Sequence, residues 1–266
     1  MTETRWRNPV RARLERGEPA FGVTMTTPSL DVAARLATLG FDFLWVEMEH
    51  SPITLETLRH IVLATRGLPA VPFARVPVNE IWTAKRVLDA GVHGVMFPFT
   101  STPEDARQAV AACRYPPLGR RGSGAGLATS TWPEPERYLD SADENVMVVT
   151  IVEEAAAVSC IDEIEATPGI DVLFIGTSDL SFSMGYRGRQ DVADVQDAIA
   201  RVRSAAERHG KFVGRPAGTR DQIESGMEQG FRFFQLNSDL NLLELGAKRV
   251  LEPFGRGPVA GPRPLY

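Results

Sequence analysis

Four short apolar runs in this 266-residue chain end in residues that can carry out chemistry. Glu47-Met-Glu-His50 ends one run, Arg75 ends another, Glu153 directly follows a third, and Gly176-Thr-Ser-Asp179 follows a fourth. Burying an ionic side chain is costly unless that side chain is paired or bound to a metal. If the runs are parallel strands, their carboxyl ends meet at one edge, and these residues then converge on one site.

Glu153 and Asp179 are carboxylates from consecutive apolar runs, a pattern that suits a hard divalent cation. With two protein oxygens as ligands, water and substrate complete the coordination shell, which favours Mg²⁺ or Mn²⁺. The alternative is that each acid only stabilises the start of the helix that follows it. The spacing leaves both interpretations open. Backbone N–H groups at Gly176, Thr177 and Ser178, where a helix begins, could hold a substrate carboxylate.

His50 is a candidate for proton transfer, because it lies among acids at the carboxyl end of an apolar run. Arg75 is placed to stabilise a developing oxyanion, unless it is only a structural ion-pair partner. Asp89 lies at the end of a helical pattern, where the helix dipole disfavours an anion, and this indicates a specific partner. The other histidines are expected to lie away from the site: His60, His93 and His209.

The elements that position these residues follow from the alternation of apolar runs with helical patterns. Runs rich in Val, Ile, Leu and Phe are typical of parallel strands buried on both faces. About eight strand–helix units predict an α/β fold, the TIM (β/α)8 barrel. The alternative, a doubly wound open sheet, normally has a glycine-rich turn after its first strand, and Met25-Thr-Thr-Pro-Ser follows here. The predicted strands are 21–25, 41–48, 70–76, 94–99, 146–152, 171–176, 212–215 and 231–236.

We predict a single domain over residues 1–254, beginning with a helix within residues 5–16. Residues 255–266 are rich in Gly and Pro, and we predict a flexible tail there. Residues 115–126 resemble a phosphate-binding glycine loop but lack its lysine. We predict instead a mobile loop over the barrel mouth, with Arg120 and Arg121 in solvent.

Composition excludes several classes of protein. Lys and Arg number 29 against 34 Asp and Glu, a net charge of −5, so we expect no binding to nucleic acid or to an anionic membrane surface. No apolar stretch approaches the roughly 20 residues that span a bilayer, and the first residues do not resemble a secretory signal. Two cysteines in unrelated contexts favour a reducing, cytoplasmic environment.

Six segments together resemble the HpcH/HpaI family of metal-dependent class II pyruvate aldolases, a group that includes 2-dehydro-3-deoxyglucarate and 4-hydroxy-2-oxoheptanedioate aldolases. The resemblance extends over about residues 21–254, and the six segments occur in order along the chain. They are Trp45-Val-Glu-Met-Glu-His-Ser-Pro52, Ala74-Arg-Val-Pro-Val-Asn-Glu80, Val87-Leu-Asp-Ala-Gly91, Arg114-Tyr-Pro-Pro-Leu-Gly-Arg-Arg-Gly122, Val152-Glu153 and Leu173-Phe-Ile-Gly-Thr-Ser-Asp-Leu-Ser181.

The resemblance implies a TIM barrel assembled into hexamers by exchange of a carboxyl-terminal helix. It implies that Glu153 and Asp179 bind a divalent metal (Mg²⁺ or Mn²⁺, with Co²⁺ as a further option) and that pyruvate binds this metal. His50 matches the catalytic base, Asp89 its partner, and Arg75 the residue that stabilises the enolate. The implied reaction is cleavage of a 4-hydroxy-2-oxo acid to a keto acid, pyruvate, and an aldehyde.

Four residues depart from the family pattern and are expected to contact substrate: Glu47, Ile151, Thr177 and Arg215. Glu47 replaces the usual Asp, Ile151 a common Gln and Thr177 the usual Pro, and relatives are often apolar at Arg215. Changes concentrated in the pocket indicate a shifted substrate or a changed reaction. Two alternatives to an aldolase therefore stay open. One is a decarboxylase that uses oxaloacetate to form the enolate, as in the related macrophomate synthase, and the other is a non-catalytic barrel that binds a keto acid.

Overall fold

A computed structural model describes residues 5–257. Its eight strands follow one another in chain order around a closed barrel, and every neighbouring pair is parallel. The predicted TIM barrel is confirmed, and the open sheet is wrong. The strands are β1 (Ala20–Met25), β2 (Phe43–Glu47), β3 (Val71–Arg75), β4 (Gly94–Phe97), β5 (Met147–Val152), β6 (Val172–Ile175), β7 (Phe212–Pro216) and β8 (Phe233–Ser238).

Helices connect the strands and surround the barrel. None of those in the described part of the chain is long and apolar enough to cross a membrane. Several begin at the residues that local chemistry predicts: Ser29 accepts a hydrogen bond from the Val32 N–H, and Thr102 and Asp105 form a capping box. The helices are α1 (Pro9–Glu15), α2 (Leu30–Leu36), α3 (Leu55–Ala64), α4 (Ile81–Ala90), α5 (Pro103–Cys113), α6 (Gly126–Thr129), α7 (Tyr138–Asn145), α8 (Ala155–Ser159), α9 (Ile161–Glu165), α10 (Thr177–Ser183), α11 (Ala193–Arg208), α12 (Arg220–Glu228) and α13 (Asp239–Leu251).

The helix predicted within residues 5–16 is α1. Residues 258–266, most of the predicted tail, lie outside the described residues.

Aromatic side chains fill the interior of the barrel. Phe43 and Phe233 stack with ring centroids 4.5 Å apart, and Trp45 meets Phe174 edge-on at 4.9 Å one layer nearer the carboxyl ends. A Cβ atom at Gly22 would lie 2.1 Å from the Phe43 ring, so this packing requires glycine at that position. This packing fills the barrel interior, and a cavity opens above it at the carboxyl ends of the strands.

The prediction of a mobile loop over the barrel mouth at residues 115–126 is wrong. The segment follows the carboxyl end of α5 and therefore lies at the opposite end of the barrel, where Arg114 donates to the Val146 carbonyl before β5. Arg121 is only 1% exposed. Its guanidinium donates to the Tyr138 hydroxyl at 2.6 Å and lies over the Tyr115 ring. Aromatic partners thus hold Arg121 in the protein interior instead of leaving it in solvent.

Glu165, the last residue of α9, is a buried acid far from the cavity. Neither carboxylate oxygen has a hydrogen-bond partner among the residues that the structure describes. Burial raises the pKa of Glu165 to about 8, and the negative charge of Asp162 acts in the same direction. The folded protein therefore holds a proton at Glu165 at neutral pH.

This proton makes stability depend on pH. Between the ordinary pKa of 4.5 and the folded value of about 8, the folded chain keeps a proton that the unfolded chain has released. The free energy of unfolding should therefore fall as pH rises through this range, by at most about 1.4 kcal/mol per pH unit from this group. Urea unfolding of Glu165→Gln should show a shallower fall than the parent, whereas Glu163→Gln on the exposed side of α9 should match the parent. Equal slopes in all three proteins would contradict the assignment.

Candidate active site

A cavity of about 720 Å³ opens at the carboxyl ends of the strands. Its two sides differ in chemistry. The side formed by β2, β3, β5 and β6 carries the ionic residues Glu47, His50, Arg75, Glu153 and Asp179. The side formed by β7, β8 and β1 carries neutral polar residues, among them Thr24, Thr26, Gln222, Gln235, Asn237 and Asn241. Most of the residues predicted from the ends of the apolar runs are therefore brought together around one cavity.

Glu47 organises the ionic side. One of its oxygens accepts hydrogen bonds from Arg75 Nε at 2.6 Å and Trp45 Nε1 at 3.2 Å. The other accepts from the backbone N–H groups of Glu49 at 2.7 Å and His50 at 3.0 Å. Because these protein donors occupy both oxygens of a residue that is 3% exposed, Glu47 acts as a positioning residue. Glu47 also lines the cavity, so its contact with substrate stays a prediction beside its role in holding Arg75 and the His50 backbone.

Glu49 is a site residue to which the sequence analysis gave no role. Its Oε2 atom lies 3.2 Å from Arg75 Nη1 and 3.7 Å from His50 Nε2. Burial raises the pKa of Glu49, against the charges of Arg75 and His50. The signal was present in the sequence, because Glu49 lies between Glu47 and His50 at the polar end of an apolar run.

Glu153 directly follows β5 and faces the cavity, like Ile151 two residues earlier. It is 3% exposed, and its Oε1 atom accepts a hydrogen bond from the Phe99 N–H at 2.6 Å. Burial raises the pKa of Glu153 to about 7 despite this bond, and the charges of Glu49 and Asp179 act in the same direction as burial. The alternative that Glu153 only stabilises the start of a helix therefore does not explain why it is buried in the cavity wall.

The turn from β6 into α10 places Asp179 beside Glu153. A Cβ atom at Gly176 would lie 2.9 Å from Glu153 Oε2, so only glycine lets the turn approach this carboxylate so closely. Thr177 is 1% exposed, and its hydroxyl has no hydrogen-bond partner among the described residues. Together with Ser178, these residues line the cavity wall next to the two carboxylates.

The charges on this side fit a divalent cation. Glu49 and Asp179 both raise the pKa of Glu153, which means that the three carboxylates are close enough to repel one another. Arg75 is the neighbouring cation, and it already pairs with Glu47 and Glu49. Within residues 5–257, no group of three or more His, Cys, Asp or Glu side chains could enclose a metal ion. The net negative charge of these neighbouring carboxylates is what a hard divalent cation would neutralise.

Two predicted residues do not bring their charges to the site. Asp89 lies at the carboxyl end of α4, near the far end of the barrel, 3.6 Å from Arg121. Arg215 borders the cavity, but strand alternation directs its side chain outward, and its guanidinium lies over the Phe231 ring beneath α12. The prediction that its charge contacts substrate is therefore not supported by the geometry.

Of the other histidines, His93 stacks on Trp132 near the amino-terminal ends of the strands, and burial lowers its pKa to about 3. As predicted, it lies at the wrong end of the barrel for the site.

The role of Glu47 can be tested through stability. Glu47→Gln removes the charge that faces a largely buried Arg75, and breaking such a pair should lower the free energy of unfolding by about 3 kcal/mol. Glu104→Gln breaks the exposed pair with Arg107 and should cost less than about 1 kcal/mol. Urea unfolding of both variants measures the difference. Similar losses in the two variants would show that Glu47 is not an essential partner of Arg75.

Comparison with known proteins identifies the family. The model of the HpcH/HpaI aldolase/citrate lyase family matches residues 23–244. A hydroxypyruvate/pyruvate aldolase from Paraburkholderia phytofirmans is 34% identical over 251 residues, covering 92% of this chain and 96% of that protein. A 2-dehydro-3,6-dideoxy-6-sulfogluconate aldolase from Pseudomonas putida is 36% identical over 242 residues, covering 90% of this chain and 93% of that protein.

A solved structure agrees with these sequence matches. The crystal structure of an HpcH/HpaI aldolase/citrate lyase family protein from Burkholderia cenocepacia matches with a TM-score of 0.86 and 34% identity. The match covers 94% of this chain and 100% of that one. The sequence match extends over nearly the whole chain. It thus agrees with the barrel, the order of its strands and the ionic side of its cavity. The chain belongs to the HpcH/HpaI aldolase/citrate lyase family.

Proposed function

We propose that this protein is a divalent-metal-dependent carbon–carbon lyase that cleaves or forms 4-hydroxy-2-oxo acids through the enolate of pyruvate. The observation that carries the proposal is the group of carboxylates at the open end of the barrel, where Glu153 is buried beside Arg75 and Glu49 and the exposed Asp179 lies next to it. Glu153 and Asp179 would hold Mg²⁺ or Mn²⁺, with Co²⁺ as an alternative. When bound, such a cation supplies Lewis-acid polarisation of the keto group.

Arg75 would stabilise the negative charge that develops on the keto oxygen. Its side chain is 14% exposed, and its guanidinium is held by Glu47 at 2.6 Å and Glu49 at 3.2 Å, so it keeps its position while charge develops on the substrate. Gly176, Thr177 and Ser178 line the wall beside Glu153. The Gly176 N–H donates to the Val152 carbonyl at 3.1 Å, so the N–H groups of Thr177 and Ser178 at the start of α10 would bind the carboxylate of the keto acid.

His50 would move the proton. Cleavage removes the proton from the hydroxyl on carbon 4 and breaks the bond between carbons 3 and 4. The bonding electron pair passes to carbon 3 as the enolate, and carbon 4 becomes the aldehyde. His50 takes this proton, and a proton returned to carbon 3 completes pyruvate. The imidazole lines the cavity, and its Nε2 atom lies 3.7 Å from Glu49 Oε2.

Substitution of the carboxylates tests the proposal. Glu153→Ala or Asp179→Ala should each lower pyruvate release from a 4-hydroxy-2-oxo acid by about 100-fold or more, and a chelator should do the same to the parent protein. Glu154→Ala removes the adjacent acid, which does not line the cavity, and should stay within about twofold of the parent. A lactate dehydrogenase coupled assay measures pyruvate.

Two results would contradict this proposal. Activity that survives both substitutions and the chelator would refute the metal site. Carbon dioxide release from oxaloacetate, without any reaction of an aldehyde, would indicate the decarboxylase instead of the aldolase.

We further propose that the protein works as a homo-oligomer, a hexamer by resemblance to its family. Helix α13 buries only Asp239 among its own residues and exposes apolar side chains that a monomer would leave in water. They are Leu240, Leu243, Leu245, Val250 and Leu251, and Phe254 beyond the helix is 76% exposed. Asp89 lies away from the cavity of its own chain. Its predicted pairing with His50 would therefore require the Asp89 of another copy.

Sedimentation velocity tests this assembly. The parent protein should sediment as a multiple of the 29.2 kDa chain, and Leu243→Glu should shift it towards the monomer, because a charge would be buried in the contact. His60→Glu adds a carboxylate on the exposed side of α3 and should leave the assembly unchanged. A monomeric parent protein at micromolar concentration would contradict the proposal.

A further inference from the structure

The cavity is larger than the keto acid needs. Its volume of about 720 Å³ lies in the range that holds drug-sized ligands, and a three-carbon keto acid beside Glu153 and Asp179 leaves most of it free. The remaining space borders β7, β8 and β1. This part, which we call the neutral wall, is defined by Thr24, Gln190, Gln222, Gln235 and Asn237. In an aldolase, the second substrate would bind against it.

Gln235 and Thr24 form a fixed polar pair on the neutral wall. Gln235 lies on β8 and faces the barrel interior, because its neighbour Phe234 packs in the outer core. Its Nε2 atom donates to Thr24 Oγ1 on β1 at 2.7 Å. The bond leaves the amide carbonyl and one N–H of Gln235 for a ligand. Both residues lie on strands, so the pair is held in place before substrate binds.

The other amides of the neutral wall are partly occupied by the loop after β7. Gln222 Oε1 accepts from the Gly218 N–H at 2.7 Å, and Asn237 Nδ2 donates to the Gly218 carbonyl at 3.3 Å. These bonds leave the Gln222 amide N–H groups and the Asn237 carbonyl oxygen for other partners. The neutral wall therefore offers both donors and acceptors, which is what hydroxyl groups need.

The neutral wall lacks a cation. Within residues 5–257, the basic side chain that borders this part of the cavity is Arg215, and its guanidinium lies on the outer side of the barrel over Phe231. A carboxylate or sulfonate bound here would lose its hydration without gaining an opposite charge, which is costly. A hydroxyl group would exchange water for amide partners at little cost.

We infer that the aldehyde substrate is neutral and carries hydroxyl groups, as a sugar-like aldehyde does, and that Gln235 selects it. This inference rests on the proposed aldolase function. Gln235 acts in specificity, by binding a hydroxyl group beyond the reacting carbonyl, and takes no part in the proton transfer at His50.

Competition among aldehydes tests the inference. With pyruvate and Mg²⁺ or Mn²⁺, kcat/KM for glyceraldehyde should exceed the values for propanal, which lacks hydroxyl groups, and succinic semialdehyde, which is anionic, by about tenfold or more. A preference for the anionic aldehyde, or equal use of all three, would overturn the inference.

Gln235→Met assigns the effect to one side chain. Met keeps the length of Gln but removes its hydrogen bonds, so kcat/KM for glyceraldehyde should fall by about tenfold while that for propanal changes less than about twofold. Gln229→Met, outside the cavity at the end of α12, should change neither value. Equal losses for both aldehydes in Gln235→Met would overturn the assignment to Gln235.

A separate readout distinguishes this inference from the proposed function. Exchange of the pyruvate methyl protons with deuterium, followed by NMR, reports enolate formation without any aldehyde. Exchange in Gln235→Met should stay within about twofold of the parent, which would also show that the variant is folded. Absence of exchange in the parent protein would overturn the proposed function and this inference with it. Normal exchange with an altered order of aldehydes would overturn the inference alone.

Discussion

The site depends on holding several carboxylates of like charge at one edge of a closed barrel. Glu47 and Glu153 lie at or directly after strand ends and are each 3% exposed, whereas Asp179 lies in the first turn of α10 and is exposed. Glu47 is compensated by Arg75 and by backbone N–H groups. Glu153 receives one backbone N–H, and burial still raises its pKa to about 7. The uncompensated negative charge around Glu153 is the feature that a bound cation would stabilise.

Strand alternation decides which polar side chains reach this edge. Glu47, Arg75 and Glu153 each lie two residues after an inward-facing apolar residue, Trp45, Phe73 and Ile151 respectively, so their charges face the cavity. Arg215 lies at a strand end too, but one position out of phase, and its guanidinium packs under α12. A shift of one residue along a strand thus decides whether a charged side chain faces the cavity or the outer core.

The two sides of the cavity suit different parts of one reaction. The ionic side combines carboxylates, a fixed guanidinium and an imidazole, which together can bind a keto acid and move charge and protons. The neutral wall has the Thr24–Gln235 pair on two strands and a further amide, Gln222, on α12, and these neutral groups would orient a second substrate without altering the electrostatics of the first. Membership of the HpcH/HpaI aldolase/citrate lyase family agrees with such an arrangement.

The sequence by itself determined the barrel and most of the ionic side, because strand periodicity and polar strand ends are local patterns. It placed Glu153 and Asp179 on consecutive strand–helix units and His50 near Arg75. Tertiary structure decided what depends on direction and distance: Arg215 faces outward, Asp89 lies near the far end, and residues 115–126 pack around a buried Arg121. It also decided that both carboxylate oxygens of Glu47 accept hydrogen bonds from protein donors. Such outcomes depend on contacts between residues far apart in the chain, which spacing along the sequence does not encode.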